Sequence, residues 1–124
     1  MSLRKSTIEM IELLSLPSEQ LEYERNVPIA DVPAELICGF CDDLYHPKSE
    51  SFLAEFSENE LKALAHLYGL LSEAAKVTVP SVTELQKRPE WRSVVSLAKE
   101  LTAHYKQYPA YQGRQATASP SPAT

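Results

Sequence analysis

Cys38-Gly39-Phe40-Cys41 sets two thiols at the spacing used by disulfide oxidoreductases and by zinc modules. Each chemistry makes a further demand. A redox pair needs an exposed first thiol at a helix N-terminus, where the dipole lowers its pKa. Here the pair falls inside a helical pattern, and Cys41 lies in its apolar stripe, where a cysteine acts as a small hydrophobe. A zinc site needs two more ligands, and His46, His66 and His104, the only histidines, stand at no finger spacing. The pair is therefore assigned to packing, with no metal ligand and no cofactor.

Acid–base catalysis needs paired carboxylates or a histidine–acid pair in a pocket. Asp42 and Asp43 are adjacent, so on a helix they point about 100° apart and cannot share a proton. No Gly-x-Ser-x-Gly nucleophile motif is present. No residue is assigned a catalytic role. Glu35, on the same face, extends the aspartate pair into an anionic patch that could receive a partner, although a solvated polar face is the simpler account. Arg88, Arg92, Lys99 and Lys106 form a basic stripe without interleaved aromatics, in a chain of pI about 5.2. That is far from a nucleic-acid-binding composition. Pairing with the acidic half of the chain is the expected use of the stripe.

Charge divides the 124 residues unevenly. Residues 1–50 hold ten acids and four bases, residues 51–76 four and two, and residues 77–124 three and six, for a total of −5. The acidic half disfavours nucleic acid and suits a basic protein. No apolar run approaches the ~20 residues that span a bilayer. The N-terminal residues, with Arg4, Lys5, Glu9 and Glu12, do not read as a secretory leader. Two cysteines are too few for a disulfide scaffold, so a reducing cytoplasm is expected.

The elements that must carry these residues are helical. Only three glycines are present, too few for a turn-rich strand fold. Ser6 and Glu9 read as a capping box opening a helix that stops at Pro17. Ser18 could start a short second helix. Residues 26–33, with prolines at 28 and 33, read as an extended connector or short edge strand, and Pro33 as the first residue of a helix ended by His46-Pro47. Ile37, Phe40, Cys41 and Leu44 form its stripe. Ser57 and Glu60 form the clearest capping box, stapled by Phe56 and Leu61, and the helix they open runs to about Lys76. It is apolar over most of its circumference, as a central helix or an oligomer interface would be. Ser81 and Glu84 cap a short helix, and Pro89 opens a long one with Trp91, Val94, Val95, Ala98, Leu101 and Tyr105 on its buried side.

Leu21-Glu22-Tyr23-Glu24-Arg25-Asn26-Val27, then Val32-Pro33-Ala34-Glu35-Leu36, Asp42-Asp43-Leu44-Tyr45-His46-Pro47 and Phe56-Ser57 before Glu60-Leu61 together resemble small bacterial immunity proteins. The resemblance covers residues 16–75. It implies a non-enzymatic cytoplasmic inhibitor that binds one toxin domain, often a nuclease with a basic cleft, and blocks it.

The expectation is an all-α protein: a small helical bundle of four to five helices in one domain, residues 1–108. An extended proline-containing connector interrupts it, and a disordered tail, residues 109–124, follows. Its expected function is binding a protein partner, such as a basic toxin domain, through Glu35, Asp42 and Asp43. The alternative is a helical adaptor or homo-oligomer that uses the apolar surface of residues 61–75. No membrane contact is expected.

Overall fold

In the computed structural model, which describes residues 2–111, every regular element is a helix. There are seven: α1 (Leu3–Leu14), α2 (Pro17–Asn26), α3 (Val32–Cys41), α4 (Glu50–Leu53), α5 (Glu58–Ala74), α6 (Val82–Gln86) and α7 (Pro89–Gln107). The all-α expectation holds, with more helices than four to five. Four of them, α1, α7, α5 and α3, pack in a ring, each against the next, and α3 closes back on α1. The short helices α2 and α6 pack together and bridge this ring, α2 on α1 and α6 on α3 and α7. No described helix is long and apolar enough to cross a membrane. The residues beyond 111, and with them most of the expected tail, lie outside the described residues.

Local chemistry explains most of the boundaries. Ser57 and Glu60 form the expected box in both directions: the Glu60 amide donates to Ser57 Oγ at 3.1 Å, and the Ser57 amide to Glu60 Oε1 at 2.9 Å. Ser49, Ser81 and Asp31 cap α4, α6 and α3 in the same way, each accepting from the amide three residues on. The first helix departs from the expectation. It begins at Leu3, capped by the Ser2 hydroxyl, so Ser6 and Glu9 lie inside it. The cause is tertiary: the extra turn carries Arg4 into the core with Thr7, Ile11 and Leu14.

α3 also differs at both ends. It starts at Val32, with Pro33 second, and stops at Cys41 rather than at His46-Pro47. The chain leaves it through wide turns in which the Asp43 and Tyr45 amides donate to the carbonyls of Cys38 and Phe40, five residues back. This exit swings the Tyr45 ring onto Phe40, at 5.4 Å between centroids, and against Phe52 and Tyr68. Stacking there outweighs one more helical turn. The segment before α3 is a turn, and no strand occurs among the described residues.

The core is formed by Ile11, Leu14, Val32, Leu36, Phe40, Phe52, Phe56, Leu64, Leu67, Leu71, Val82, Leu85, Trp91, Val94 and Ala98, with Ala74, Leu101 and Tyr105. Of the stripe positions expected from periodicity, Ile37, Cys41, Leu44 and Val95 are only partly buried. α2 has few apolar residues, and its one buried side chain is Gln20. The Gln20 amide nitrogen donates to the Leu13 and Leu14 carbonyls at the end of α1, both at 3.1 Å. Its oxygen accepts from Trp91 Nε1 at 3.1 Å and from the Gln86 amide at 3.0 Å. One polar side chain thus joins α1, α2, α6 and α7. A buried amide with every partner present specifies this junction, which an apolar residue would not.

Candidate functional site

Two polar assemblies stand out once the fold is in place: a buried ionic cluster that holds the bundle together, and an acidic face around α3.

The ionic cluster centres on Arg4, 3% exposed, and Glu60, 5% exposed. Arg4 Nη1 and Nη2 reach Glu60 Oε1 and Oε2 at 2.8 and 2.9 Å, a two-pronged pair. The remaining guanidinium hydrogens go to the carbonyls of Glu55 at 2.8 Å, Tyr108 at 2.6 Å and Pro109 at 3.3 Å. All five N–H groups of the arginine are therefore used. Phe56, Tyr105 and Tyr111 surround its plane, with ring centroids 5.5, 5.1 and 5.7 Å from Cζ. His104 Nε2 completes the shell of Glu60, 2.6 Å from Oε2. Burial alone would raise the pKa of Glu60. The Arg4 hydrogen bonds, the Ser57 amide and His104 outweigh it and hold the carboxyl down at about 2.

A histidine on a carboxylate can serve as an acid–base pair, but here the carboxylate is consumed by arginine and the capping amide. The arrangement joins the start of α1, the start of α5 and the end of α7 across sequence separations of 56 and 44 residues. Its chemistry is structural.

The acidic face contains all three residues expected to bind a partner. Glu35, Asp42 and Asp43 are exposed. Glu35 sits in the first turn of α3, and its Oε1 accepts the Tyr23 hydroxyl at 2.6 Å. Asp42 is the C-terminal cap of α3, and Asp43 lies just past it. The Asp42 amide still makes the helical bond to the Cys38 carbonyl, at 2.9 Å, and the Asp43 amide reaches the same carbonyl at 3.3 Å. Asp43 joins Glu35 on the wall of one groove, and Asp42 turns toward the Cys38 thiol. None of the three forms an ion pair among the described residues.

The cysteines are free. Cys38 is exposed, and its pKa is raised, first by partial desolvation and then by the Asp42 carboxylate that accepts its S–H. Burial pushes Cys41 up to about 11, with Asp42 and Cys38 adding to it. Both thiols are kept protonated, the opposite of what a nucleophile or a metal ligand requires. No group of three or more metal-type side chains occurs among the described residues.

The basic stripe does not pair with the acidic half as expected. Arg88 contacts Glu90 at 3.4 Å, and Arg92 Nη2 donates to the Lys87 carbonyl at 3.3 Å. No described ion pair joins the stripe to residues 1–50. The acids of the first half make other contacts or stay unpaired. Glu22 pairs with Arg25 at 3.2 Å, Asp31 caps α3, and Glu24 accepts the Val82 amide at 3.0 Å.

Sequence reasoning missed Arg4, His104 and Gln20: the side-chain partners of all three, Glu60 for the first two and Gln86 and Trp91 for Gln20, are distant in the chain. One signal was available for Arg4. Counted from Ser2, it shares a helical stripe with Thr7, Ile11 and Leu14, and a charge on an apolar stripe marks a buried pair. Comparison with known proteins gives no match: no family model, no curated protein and no solved structure matches this chain.

Proposed function

We propose that the chain is a non-enzymatic binding protein whose acidic face at the end of α3 docks a basic protein partner, as an immunity-type inhibitor docks a toxin domain. One observation carries the reading. Asp42 and Asp43 occupy the C-terminal end of α3, which has no basic residue in its last turn, and no described cation pairs with either. The last carbonyls of a helix carry partial negative charge and favour a cation there. Two carboxylates at that end cost the fold stability, by about 0.3–1 kcal/mol each at an exposed site. An incoming lysine or arginine would reverse the sign of that contribution. Residues that oppose their own fold are expected at functional surfaces.

The acidic excess of residues 1–50 adds a longer-range attraction that raises the association rate with a basic partner. A basic, phosphate-binding toxin cleft has the complementary charge. Cytoplasmic residence fits the free, protonated thiols. The test is co-expression of a cognate toxin domain with the wild-type chain or with the Asp42→Lys/Asp43→Lys variant, scored by cell survival. Protection by the wild type and its loss in the folded variant is the expected result. Full protection by the variant removes the patch from the interface.

The alternative, a helical adaptor or homo-oligomer joined through residues 61–75, draws on a smaller surface. Leu64, Leu67, Leu71 and Ala74 are buried within the chain's own core, and Tyr68, 41% exposed, is the large apolar side chain of that segment left at the surface. Sedimentation of a monomer at micromolar concentration would set this reading aside.

A further inference from the structure

Two grooves flank α3, and Cys38 is a wall of both. The first, of about 310 Å³, has an apolar floor of Met10, Leu13 and Leu36, and its charged lining residues are Glu35 and Asp43, with no cation. The second, of about 220 Å³, is lined by Ile37, Val77, Val79 and Leu85, and Asp31 is its one charged residue. Both volumes lie at or below the lower end of the roughly 300–1,000 Å³ range of small-molecule sites. They suit single side chains.

The first groove is shaped for a cation on a long stem. The Tyr23 hydroxyl holds Glu35 Oε1 at 2.6 Å, which leaves Oε2 for a second donor. The floor depends on Gly39: a Cβ at that position would meet Met10 Cε at 3.0 Å and Sδ at 3.2 Å. Arginine and lysine lay their methylenes along apolar surface and keep the charged head at its rim, and this groove offers both surfaces. The second groove offers apolar contact instead. Val77, on its wall, is 46% exposed, and Ile29, two residues before Asp31, is fully exposed. Charge decides what can lie across them. A second copy of this chain, at −5 overall, is repelled at long range by Asp31, Glu35 and Asp43 and offers a basic excess only in residues 77–124, whereas a basic protein is attracted as a whole.

We propose that a segment of a basic protein partner straddles α3, dropping an arginine or lysine into the groove at Glu35 and Asp43 and an aliphatic side chain into the groove at Val77 and Leu85. The proposal rests on the acidic-face reading and adds the partner's local sequence. A helix with its side chains is about 10–12 Å across, so the two inserted residues stand about 10 Å apart. On a helical partner segment they are seven residues apart, and on an extended one about three.

The probe is a phage-displayed library of random peptides about twelve residues long, selected on the full chain at low salt. Enriched peptides should combine an arginine or lysine with an aliphatic residue at one of those spacings. Affinity should fall roughly tenfold, the effect of one charge-assisted hydrogen bond, for Glu35→Gln/Asp43→Asn. It should also fall for Gly39→Ala, whose Cβ crowds Met10 on the groove floor, and for Val77→Asp. Circular dichroism of each variant shows that its fold is kept. No enrichment, or enriched peptides without a basic residue, overturns the proposal. Basic, salt-sensitive peptides that lose affinity with Asp42→Lys but ignore Gly39→Ala and Val77→Asp overturn the grooves and leave the acidic-face reading standing. Peptides indifferent to every one of these changes overturn both.

Discussion

Replacing Arg4 with methionine removes five hydrogen bonds and leaves the Glu60 carboxylate buried without its counter-charge. Breaking a buried pair from one side costs about 3–5 kcal/mol, because the remaining ion has lost water and partner together. The Glu55, Tyr108 and Pro109 carbonyls lose their donor as well. At roughly 4 °C per kcal/mol for a chain of this size, thermal unfolding followed by circular dichroism should begin about 12–20 °C lower. Removing both charges, with Arg4→Met and Glu60→Met together, should recover part of that loss, because no uncompensated ion remains in the core.

Acid sensitivity separates this pair from generic packing. Glu60 titrates near 2 in the folded chain, against an ordinary 4.5. Its depressed value means that it contributes stability above about 4.5, which is lost as pH falls toward 2. In Arg4→Met that contribution should shrink, and the melting point should vary less across the same interval. A melting point for Arg4→Met within about 3 °C of wild type at pH 7 would refute the clamp.

Other expectations follow from single contacts. Gln20→Leu strands the Trp91 N–H, removes the donor to the Leu14 carbonyl and leaves the Leu13 carbonyl with the Leu16 amide; it should destabilise by about 2–4 kcal/mol in urea unfolding, and a loss under 1 kcal/mol would contradict the hub. Leu67→Ala, at a fully buried site, should cost about 2–5 kcal/mol by the same measurement, and an unchanged midpoint would contradict the phase of α5. Cys38 should alkylate slowly at pH 8 despite its exposure, and Asp42→Asn should speed the reaction, since the carboxylate that raises the thiol pKa is gone. An unchanged rate would remove Asp42 from that contact. Purified protein should carry no stoichiometric zinc by elemental analysis; about one zinc per chain, lost in Cys38→Ser, would overturn the assignment of the cysteine pair.

What could be read in advance was what short-range chemistry decides. The Ser57–Glu60 box and the Phe56–Leu61 staple are contained within six residues, so the start of α5 was visible in the sequence. The stripe through Trp91, Val94, Ala98 and Leu101 was equally plain. The start of α1 was not, because Ser2 outcompetes Ser6 only when Arg4 finds Glu60 and Glu55, more than fifty residues away. Glu60 shows the limit most clearly: its capping role was legible, and its second role as the counter-ion of a buried arginine was not. The end of α3 was also hidden, since stacking of Tyr45 on Phe40 and Tyr68 sets it rather than Pro47. The acidic residues were rightly placed at the surface. Their division, with Glu35 and Asp43 on one groove and Asp42 beside Cys38, matches helical spacing: Asp42 stands four residues after Cys38, and Asp43 eight after Glu35.

The central claim is that the end of α3 receives a basic partner, and the association rate of that partner tests it most directly. A protein captured by the wild-type chain, or a cognate toxin domain, would be mixed with the chain by stopped flow across a series of salt concentrations. The account predicts a rate that falls steeply as salt rises, because exposed charges are screened within about 10 Å at 0.1 M. For Asp42→Lys/Asp43→Lys it predicts a slower rate that depends much less on salt. Equal rates and equal salt slopes for the two proteins would contradict it.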